Sequence, residues 1–177
     1  MAFFDRLYMH SYHRFWKKHL LERLQKKPKA LTVMGQLNLG TAQLTIGENC
    51  CLGSNVSLFG TANGHIALAD GVFLGDGVKI DSGECIKIGE KTIIAGGTFI
   101  TDINHGMALG KVISEQPIDT QPTLIGKGVW IGANVVVLKG SIIHDGAVIG
   151  AGAVVNGEIP ENAIAVGVPA KMIRYRK

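Results

Sequence analysis

The sequence predicts an all-β fold, a parallel β-helix built from six-residue units with three units in each coil. Aliphatic residues recur every six positions, and glycine is abundant, with 24 residues in a chain of 177. Aromatic residues are scarce, at 6%. A narrow core crossed by many turns needs small residues and has little room for large rings. The length is sufficient for one domain with a continuous core.

The period involves fifteen positions, each occupied by Ile, Leu or Val. Three places later most units have Gly or Asn, which predicts a turn with positive φ. Four places later a small or β-branched residue follows, as at Cys50 and Ala147. One unit is therefore a short strand plus a turn, and stacked units make one core. The aliphatic positions are Ile46, Leu52, Leu58, Leu68, Leu74, Ile80, Ile88, Ile94, Ile100, Ile125, Ile131, Val137, Ile143, Ile149 and Val155.

Three interruptions of the period follow one another at regular places. Four extra residues stand between positions 58 and 68, two between 80 and 88, and nineteen between 100 and 125. Each interruption follows a block of three units, so we expect all three at one corner of a triangular prism. Insertions in solenoids collect on a working face, so this corner is the predicted functional edge.

Residues 1–29 form a separate segment ahead of the β-helix domain, which we assign to residues 30–177. Apolar residues at helical spacing predict an amphipathic helix over residues 3–27, ended by Pro28. We expect this helix to pack on the β-helix or a neighbouring subunit, to contact an anionic membrane as a peripheral element, or to do both. The apolar stripe consists of Phe4, Leu7, Tyr8, Tyr12, Phe15 and Trp16.

Composition excludes several classes. Residues 1–29 carry eight Lys/Arg and two Asp/Glu, whereas the rest is slightly acidic, which argues against a nucleic-acid partner. No uncharged stretch of membrane-spanning length and no signal peptide are expected. The three cysteines lack metal-type spacing and fit reduced thiols. We therefore expect a cytoplasmic protein. If the N-terminal helix contacts a membrane, we expect the protein to lie at the periphery of the inner membrane.

The C-terminal part carries more specific motifs: Ile125-Gly-Lys-Gly-Val-Trp-Ile-Gly132, Ile149-Gly-Ala-Gly-Ala-Val154, Ile159-Pro-Glu-Asn162 and Gly167-Val-Pro-Ala-Lys-Met-Ile-Arg174. With the repeat, they resemble the hexapeptide-repeat acyltransferases, especially the galactoside and maltose O-acetyltransferases and the acetyltransferases of capsule and exopolysaccharide synthesis. The resemblance covers Leu31 to Arg176. It implies a left-handed helix, a homotrimer with active sites between subunits, acetyl-coenzyme A as cosubstrate, and no metal.

His105 is the candidate general base for acetyl transfer. It lies at the start of the predicted loop 103–123, in Thr101-Asp-Ile-Asn-His-Gly106, where the small-residue pattern fails. A neutral imidazole can take the proton of an acceptor hydroxyl or amine. The resemblance places the family's catalytic histidine at the same position. Asp102 and Asn104 are candidates for orienting the imidazole or touching the acceptor, against a role in the turn.

The resemblance also supplies candidates for binding the two substrates. Trp130 matches a tryptophan along the cofactor, the N–H of Ala133 an oxyanion donor, and Ala151 a close approach to the pantetheine arm. Lys171 and Arg174 match basic residues near the 3′-phosphate and adenosine. The acceptor-binding Asn of the galactoside enzymes falls near Gly75, so Asp81 is the substitute candidate. Gly157 stands where the family often has Lys.

Several functions remain open. O-acetylation of a sugar or glycan leads, followed by N-acetylation of an amino sugar or nucleotide-amino-sugar. A γ-type carbonic anhydrase shares the fold and needs three histidines on a metal, for which His65, His105 and His144 are the available set. A non-enzymatic scaffold is the third class. It does not explain the presence of the His105 loop together with the C-terminal motifs.

Overall fold

The fold is a left-handed parallel β-helix of about seven turns behind one α-helix, as predicted. The computed structural model describes residues 2–177, with side chains from Tyr12 onwards. Most strands have two to four residues, because each six-residue unit provides one strand and one turn. Successive strands take successive faces of a triangular prism, which we call faces A, B and C.

Each face is one sheet whose strands pair in parallel with the strand one coil away. Face A contains β1 (Leu31–Val33), β4 (Cys50–Leu52), β7 (Phe73–Leu74), β10 (Ile93–Ile94), β15 (Trp130–Ile131), β18 (Val148–Ile149), β21 (Ala163–Val166) and β22 (Lys171–Tyr175). Face B contains β2 (Leu37–Leu39), β5 (Val56–Gly60), β8 (Lys79–Ser82), β11 (Phe99–Thr101), β16 (Val136–Val137) and β19 (Val154–Val155). Face C contains β3 (Gln43–Ile46), β6 (His65–Leu68), β9 (Ile86–Ile88), β14 (Thr123–Ile125), β17 (Ile142–Ile143) and β20 (Glu158–Ile159). On face A, β22 is the exception, because it pairs antiparallel with β21.

The interior of the prism contains the residues that the period predicts. All fifteen periodic aliphatic side chains are buried. The small slot is buried too, except where it falls in the three insertions. Its hydroxyl-bearing members bond to the next coil: Thr92 Oγ1 donates to the Gly126 carbonyl at 2.7 Å and Thr98 Oγ1 to that of Gly132 at 3.1 Å. A buried hydroxyl needs such a partner, so Thr fits this slot as well as Val.

The Gly/Asn slot has the positive φ that the sequence predicts. Asn49, Asn55 and Asn134 have φ values of 58°, 57° and 55°. Lys91 occupies the same slot with φ 56°, although a lysine adopts this conformation at a cost. The turn is therefore a property of the stacked coil, and the coil imposes it even where the residue type does not favour it.

All three insertions lie at the corner between faces B and C, which confirms the prediction of one elaborated edge. The first joins β5 to β6, the second β8 to β9, and the third β11 to β14. The third, residues 102–122, is named the arm. It is a hairpin of β12 (Ile103–His105) and β13 (Ile118–Thr120), with a 3₁₀ turn over Ile113–Glu115 between them.

The helix α1 (Ala2–Arg23) ends four residues before the predicted end and packs on β1 and β2. Its buried side chains are Leu20 and, just past the helix, Leu24, with Trp16 partly buried beside them. The predicted stripe is wrong at Phe15, which is 60% exposed, because the i, i+4 row of Trp16, Leu20 and Leu24 covers the end of the prism. Phe4, Leu7 and Tyr8 lie outside the described side chains. Within residues 2–177, no helix has the length and apolar character needed to cross a membrane.

Candidate active site

His105 is the last residue of β12, opposite Ile118 of β13, and its side chain is exposed. The loop beyond it is folded around Gln116, which is buried. The Gln116 side chain accepts the Ala108 N–H at 2.8 Å and donates to the carbonyls of Ala108 and Lys111, each at 3.1 Å. His105 therefore stands at the base of an ordered arm, with its imidazole open to a substrate.

Asp102 lies at the root of the arm and is fully buried. Its carboxylate accepts the backbone N–H groups of Gly83 and Cys85, each at 2.6 Å, and that of Glu84 at 3.1 Å. The Ser82 hydroxyl donates to the same carboxylate at 3.0 Å. These four bonds join the root of the arm to the second insertion, so the contacts of Asp102 are with that turn. A catalytic role for Asp102 stays a prediction.

Asn104 is exposed and faces Asp119 across the hairpin. Successive side chains of a strand point to opposite sides, so Asn104 and His105 project from different faces of the arm. This placement gives Asn104 no hydrogen bond to the imidazole in the described structure. Its predicted part in orienting His105 is therefore without support from the described contacts, and contact with an acceptor remains a prediction.

Asp81 lies on the outside of face B, in register with Phe59 of β5 and Thr101 of β11. It is half-buried. Burial, and to a lesser extent the negative charge of Asp102, raises the pKa of the Asp81 carboxyl above its ordinary value. Raised carboxyl pKa values often occur at functional sites, which is consistent with the predicted role of Asp81 near the acceptor.

Ala133 and Ala151 are stacked in the turns between faces A and B. Gly152 N–H donates to the Ala133 carbonyl at 2.9 Å. A Cβ on Gly132 would lie 2.6 Å from the Ala151 nitrogen, so only glycine permits this approach of two coils. The N–H of Ala133 has no acceptor among the described residues. It is free to bind an oxyanion.

Trp130 stands on the outside of face A, 55% exposed, between Ile93 and Val148. The same column continues through Ile164 to Arg174 of β22. Three strand spacings put Arg174 about 14 Å from Trp130 along this column. Lys171 begins β22 and is also exposed. An aromatic surface, a free N–H and a basic end thus lie along one edge, which can accommodate an extended anionic molecule.

The structure brings the predicted cofactor residues together and keeps them apart from His105. Ala133 and Ala151 lie at the corner between faces A and B, whereas the arm leaves the corner between faces B and C. The whole width of face B separates these corners within one chain. The predicted donor edge and the His105 of the same chain therefore lie on opposite sides of face B.

A three-histidine metal site and a cysteine nucleophile find little support in the structure. His65 shares a hydrogen bond with Thr45 at 2.8 Å, and His144 one with Glu158 at 2.6 Å, in different coils. No cluster of three or more potential metal ligands occurs among the described residues. The buried Cys50 thiol donates to the Ala69 carbonyl at 3.1 Å. Burial raises the pKa of the Cys50 thiol above its ordinary value, which disfavours the nucleophilic thiolate.

The contacts that hold the arm have no recognisable pattern in the sequence. Besides Gln116, they include an ion pair between Lys139 and Asp119 and a hydrogen bond of 2.9 Å from Thr120 to Glu84. All of these residues look like ordinary surface residues in the sequence. The single available signal was the failure of the small-residue pattern at Asp102.

Comparisons with known proteins agree with this geometry. The family described as "Bacterial transferase hexapeptide (six repeats)" matches residues 122–157, and "Hexapeptide repeat of succinyl-transferase" matches residues 43–84. A protein of Escherichia coli named as the lipopolysaccharide biosynthesis O-acetyl transferase WbbJ is 40% identical over 139 residues, covering 74% of this chain and 71% of that protein. Galactoside O-acetyltransferase of E. coli is 32% identical over 130 residues, covering 73% and 63%. The solved structure of the hexapeptide-repeat acetyltransferase VCA0836 of Vibrio cholerae, with acetyl-coenzyme A, has a TM-score of 0.68 and 26% identity, covering 75% and 71%.

Proposed function

The chain belongs to the hexapeptide-repeat acyltransferases and is an acetyl-coenzyme A-dependent acetyltransferase, and we propose that it acetylates a sugar or glycan hydroxyl with His105 as general base. The observation that carries the assignment of His105 is its exposed position on an arm that buried hydrogen bonds hold in place. The name of the E. coli relative, a lipopolysaccharide biosynthesis O-acetyl transferase, supports a glycan acceptor.

The reaction needs three events that these residues can support. A ring nitrogen of His105 takes the hydroxyl proton while the hydroxyl oxygen bonds to the thioester carbon. The oxyanion that forms accepts a hydrogen bond from the Ala133 N–H. Collapse of this intermediate breaks the carbon–sulfur bond, and the imidazolium returns its proton to coenzyme A, which leaves as the free thiol.

We place the cofactor along the edge that carries Trp130, Ala133 and Ala151. The adenine end of coenzyme A carries phosphates, and Lys171 and Arg174 supply positive charge at the end of this edge. Gly157 replaces a lysine common in the family, so the two C-terminal basic residues carry more of the phosphate binding. The pantetheine arm runs past Ala151, where the lack of bulk lets it approach the main chain.

We further propose that the active site forms between copies of this chain in a homotrimer. The width of face B separates His105 from the cofactor edge in one protomer, so the arm has to reach the edge of a neighbour. The tip of the arm is apolar and exposed, since Met107 is 74% and Leu109 100% exposed. Apolar side chains at the tip of a long arm are typical of a segment that packs on a partner.

Light scattering on the purified protein tests the assembly. Wild-type protein should have the mass of a trimer, and Met107→Ser with Leu109→Ser should shift it to monomer and abolish transfer. Met34→Ser, which changes an exposed methionine away from the arm, is the control. A monomeric wild-type protein with full activity would overturn the shared site.

The reaction itself is tested by thiol release from acetyl-coenzyme A across a panel of acceptors. The panel should contain free sugars, nucleotide-sugars, lipid-linked glycans and the matching amino sugars. We expect release with a hydroxyl acceptor and an O-acetyl product by mass spectrometry. Transfer to the amino sugars alone would replace this proposal with N-acetylation, and no release with any acceptor would overturn both.

We also propose a cytoplasmic location with peripheral membrane contact through residues 3–27. Phe15 is exposed on α1 between the exposed basic residues Arg14 and Lys18, a combination suited to an anionic surface. Sedimentation with anionic vesicles should recover the full chain, and Phe15→Ser should reduce the bound fraction. Equal binding by wild type and variant would contradict membrane contact by this face.

A further inference from the structure

A second concave site lies away from His105, where the chain leaving α1 passes the first strands of face C. This cleft has a volume of about 390 Å³. From the end of the helix, Arg23, Gln25 and Lys26 line it, and from β3 and β6 it is lined by Gln43, Leu44, Thr45 and His65. Arg23, Gln25 and Lys26 belong to the segment proposed for membrane contact, but the acetyl-transfer roles proposed above use none of the residues that line this cleft.

The chemistry of the cleft is that of a receptor for an anion. Arg23 and Lys26 carry positive charge, and neither forms an ion pair within residues 12–177. None of the described residues that line this cleft carries a carboxylate. Two like charges beside a concave surface repel each other until an anion joins them. Arginine and lysine together with side-chain donors are the usual partners of a phosphate group.

The polar side chains of face C add directed donors to this charge. The His65 ring nitrogen Nε2 and the Thr45 hydroxyl share a hydrogen bond of 2.8 Å, which fixes the two groups at the wall of the cleft. Gln43 is in register with His65 on the neighbouring strand and exposes its amide. The wall is therefore ordered, while the charged helix end provides the attraction.

The cleft lies on the same edge of the prism as the arm. His65 is the first residue of β6 and directly follows the first insertion, at the corner between faces B and C. The arm leaves that corner two coils later, before β14, which is two strands from β6 on face C. Two strand spacings make the separation along the prism about 10 Å. A sugar attached to a phosphate or diphosphate can bridge this length.

We propose that this cleft binds the phosphate or diphosphate of the acceptor, so that the acceptor is a phosphate-linked sugar whose hydroxyl is presented to His105. The proposal rests on the acetyl transfer proposed above for the substrate class, but the anion site itself does not depend on it. Phosphate binds at Arg23 and Lys26, with Gln43 and one member of the Thr45–His65 pair donating from the wall. The sugar extends along the edge toward the arm of the assembled active site.

A binding measurement that involves no catalysis tests the site. Calorimetric titration with inorganic pyrophosphate should show binding to the wild-type chain and a loss of about tenfold or more in the double variant Arg23→Gln, Lys26→Gln. The matched control is Lys87→Gln with Lys127→Gln, which removes two exposed positive charges beside face C outside the cleft. Thermal melts establish that both double variants fold.

A kinetic measurement then assigns the anion to the acceptor. The cleft variant should raise KM for a nucleotide-sugar or a diphosphate-linked sugar about tenfold, with kcat and the KM for acetyl-coenzyme A unchanged. The KM for the same sugar without phosphate should not change. These outcomes support the proposal.

Three outcomes would overturn it. In the first, the wild-type chain fails to bind pyrophosphate at millimolar concentration. In the second, the control variant loses as much affinity as the cleft variant, which would show that pyrophosphate responds to the overall charge of the chain and not to this cleft. In the third, the cleft variant keeps its pyrophosphate affinity and loses binding only to vesicles of anionic lipid, which assigns the charges to a lipid headgroup. If pyrophosphate binds as expected but no acceptor is acetylated, the proposed reaction fails and the anion site stands.

Discussion

The carboxylate of Asp102 accepts the backbone N–H of Gly83 at 2.6 Å, and this bond ties the arm to the insertion one coil earlier. Asp102 is fully buried, and Ser82, Glu84 and Cys85 donate to the same carboxylate. A buried carboxylate without a cation is stable only when donors surround it in this way. We therefore propose that Asp102 positions His105, three residues further along the arm.

Asp102→Asn should lower kcat and leave the KM for acetyl-coenzyme A unchanged. The amide keeps one acceptor oxygen, but its NH2 group faces N–H groups that donate to the carboxylate in the wild type. The root of the arm should therefore loosen and His105 should be misplaced. The cost in the free energy of unfolding should be about 1–3 kcal/mol, the usual loss when hydrogen bonds to a charged group are removed. Steady-state kinetics and urea unfolding measure the two effects.

Ser82→Ala is the graded control for Asp102→Asn, because it removes one donor and leaves the carboxylate with three. It should lower kcat less than Asp102→Asn does. A rise in the KM for acetyl-coenzyme A without a fall in kcat in the Asp102 variant would contradict the positioning role.

His105→Ala should lower kcat by about 100-fold to 10,000-fold, the range expected for loss of a general base. Because the side chain is exposed and has no described hydrogen bond, the melting temperature should change little. His144→Ala removes a surface histidine paired with Glu158 in another coil and serves as the control. Near-normal turnover by His105→Ala would exclude its assignment as the base.

The sequence could predict the repeated part of this structure because each coil repeats the same physical demands. An aliphatic residue such as Ile94 must fill the prism and a residue such as Asn55 must turn the chain, so both appear at a fixed period. The common corner of the three insertions followed from the same count. The arm has no such period, and neither its hairpin nor the bonds of Gln116 could be derived.

The helix and the proposed shared site show a second reason why part of the structure could not be predicted from the sequence: it depends on contacts between distant parts of the chain. Phe15 looks as apolar as Leu20 in the sequence, and only the end of the prism decides that Leu20 is the buried one. In the same way, the family resemblance predicts that His105 and Ala133 take part in one reaction. The structure shows that they lie at different corners of one chain, which no local pattern encodes.

Lys91→Asn should raise the free energy of unfolding by about 1 kcal/mol, because asparagine adopts the left-handed conformation more readily than lysine. Lys91 has φ 56° in a slot that most other units fill with Gly or Asn. Thermal unfolding should show a melting temperature higher by roughly 2–4 °C. Gly71→Ala, at φ 71° in the preceding coil, should shift it in the opposite direction. A lower melting temperature for Lys91→Asn would mean that its side-chain contacts outweigh the backbone strain.

Lys171→Glu should raise the KM for acetyl-coenzyme A about tenfold or more with little effect on the KM for the acceptor. Lys171 is exposed at the start of β22, so the change should not affect folding, and the new carboxylate repels the cofactor phosphates. Increasing salt should narrow the difference from wild type, since exposed charges are screened. Lys177→Glu at the end of the chain is the control. An unchanged KM for acetyl-coenzyme A would remove Lys171 from the cofactor site.

Asp81→Asn should stabilise the protein at neutral pH and weaken its acceptor binding. Burial and the charge of Asp102 raise the pKa of Asp81 in the folded chain above its ordinary value of 3.8. Its contribution to stability is therefore complete below that ordinary value and is lost as pH rises through the raised pKa. A neutral amide removes this loss, so urea unfolding should show variant and wild type similar in stability near pH 3 and the variant more stable at pH 7.

The control is Glu161→Gln, which removes an exposed carboxylate. Its free energy of unfolding should change between pH 3 and pH 7 by the same amount as that of the wild type. If Asp81 contacts the acceptor, the more stable variant will also have the higher acceptor KM, as expected where a site keeps a charge at the expense of stability. A variant less stable than wild type at pH 7 would show that Asp81 is held by favourable contacts and is not strained by its surroundings.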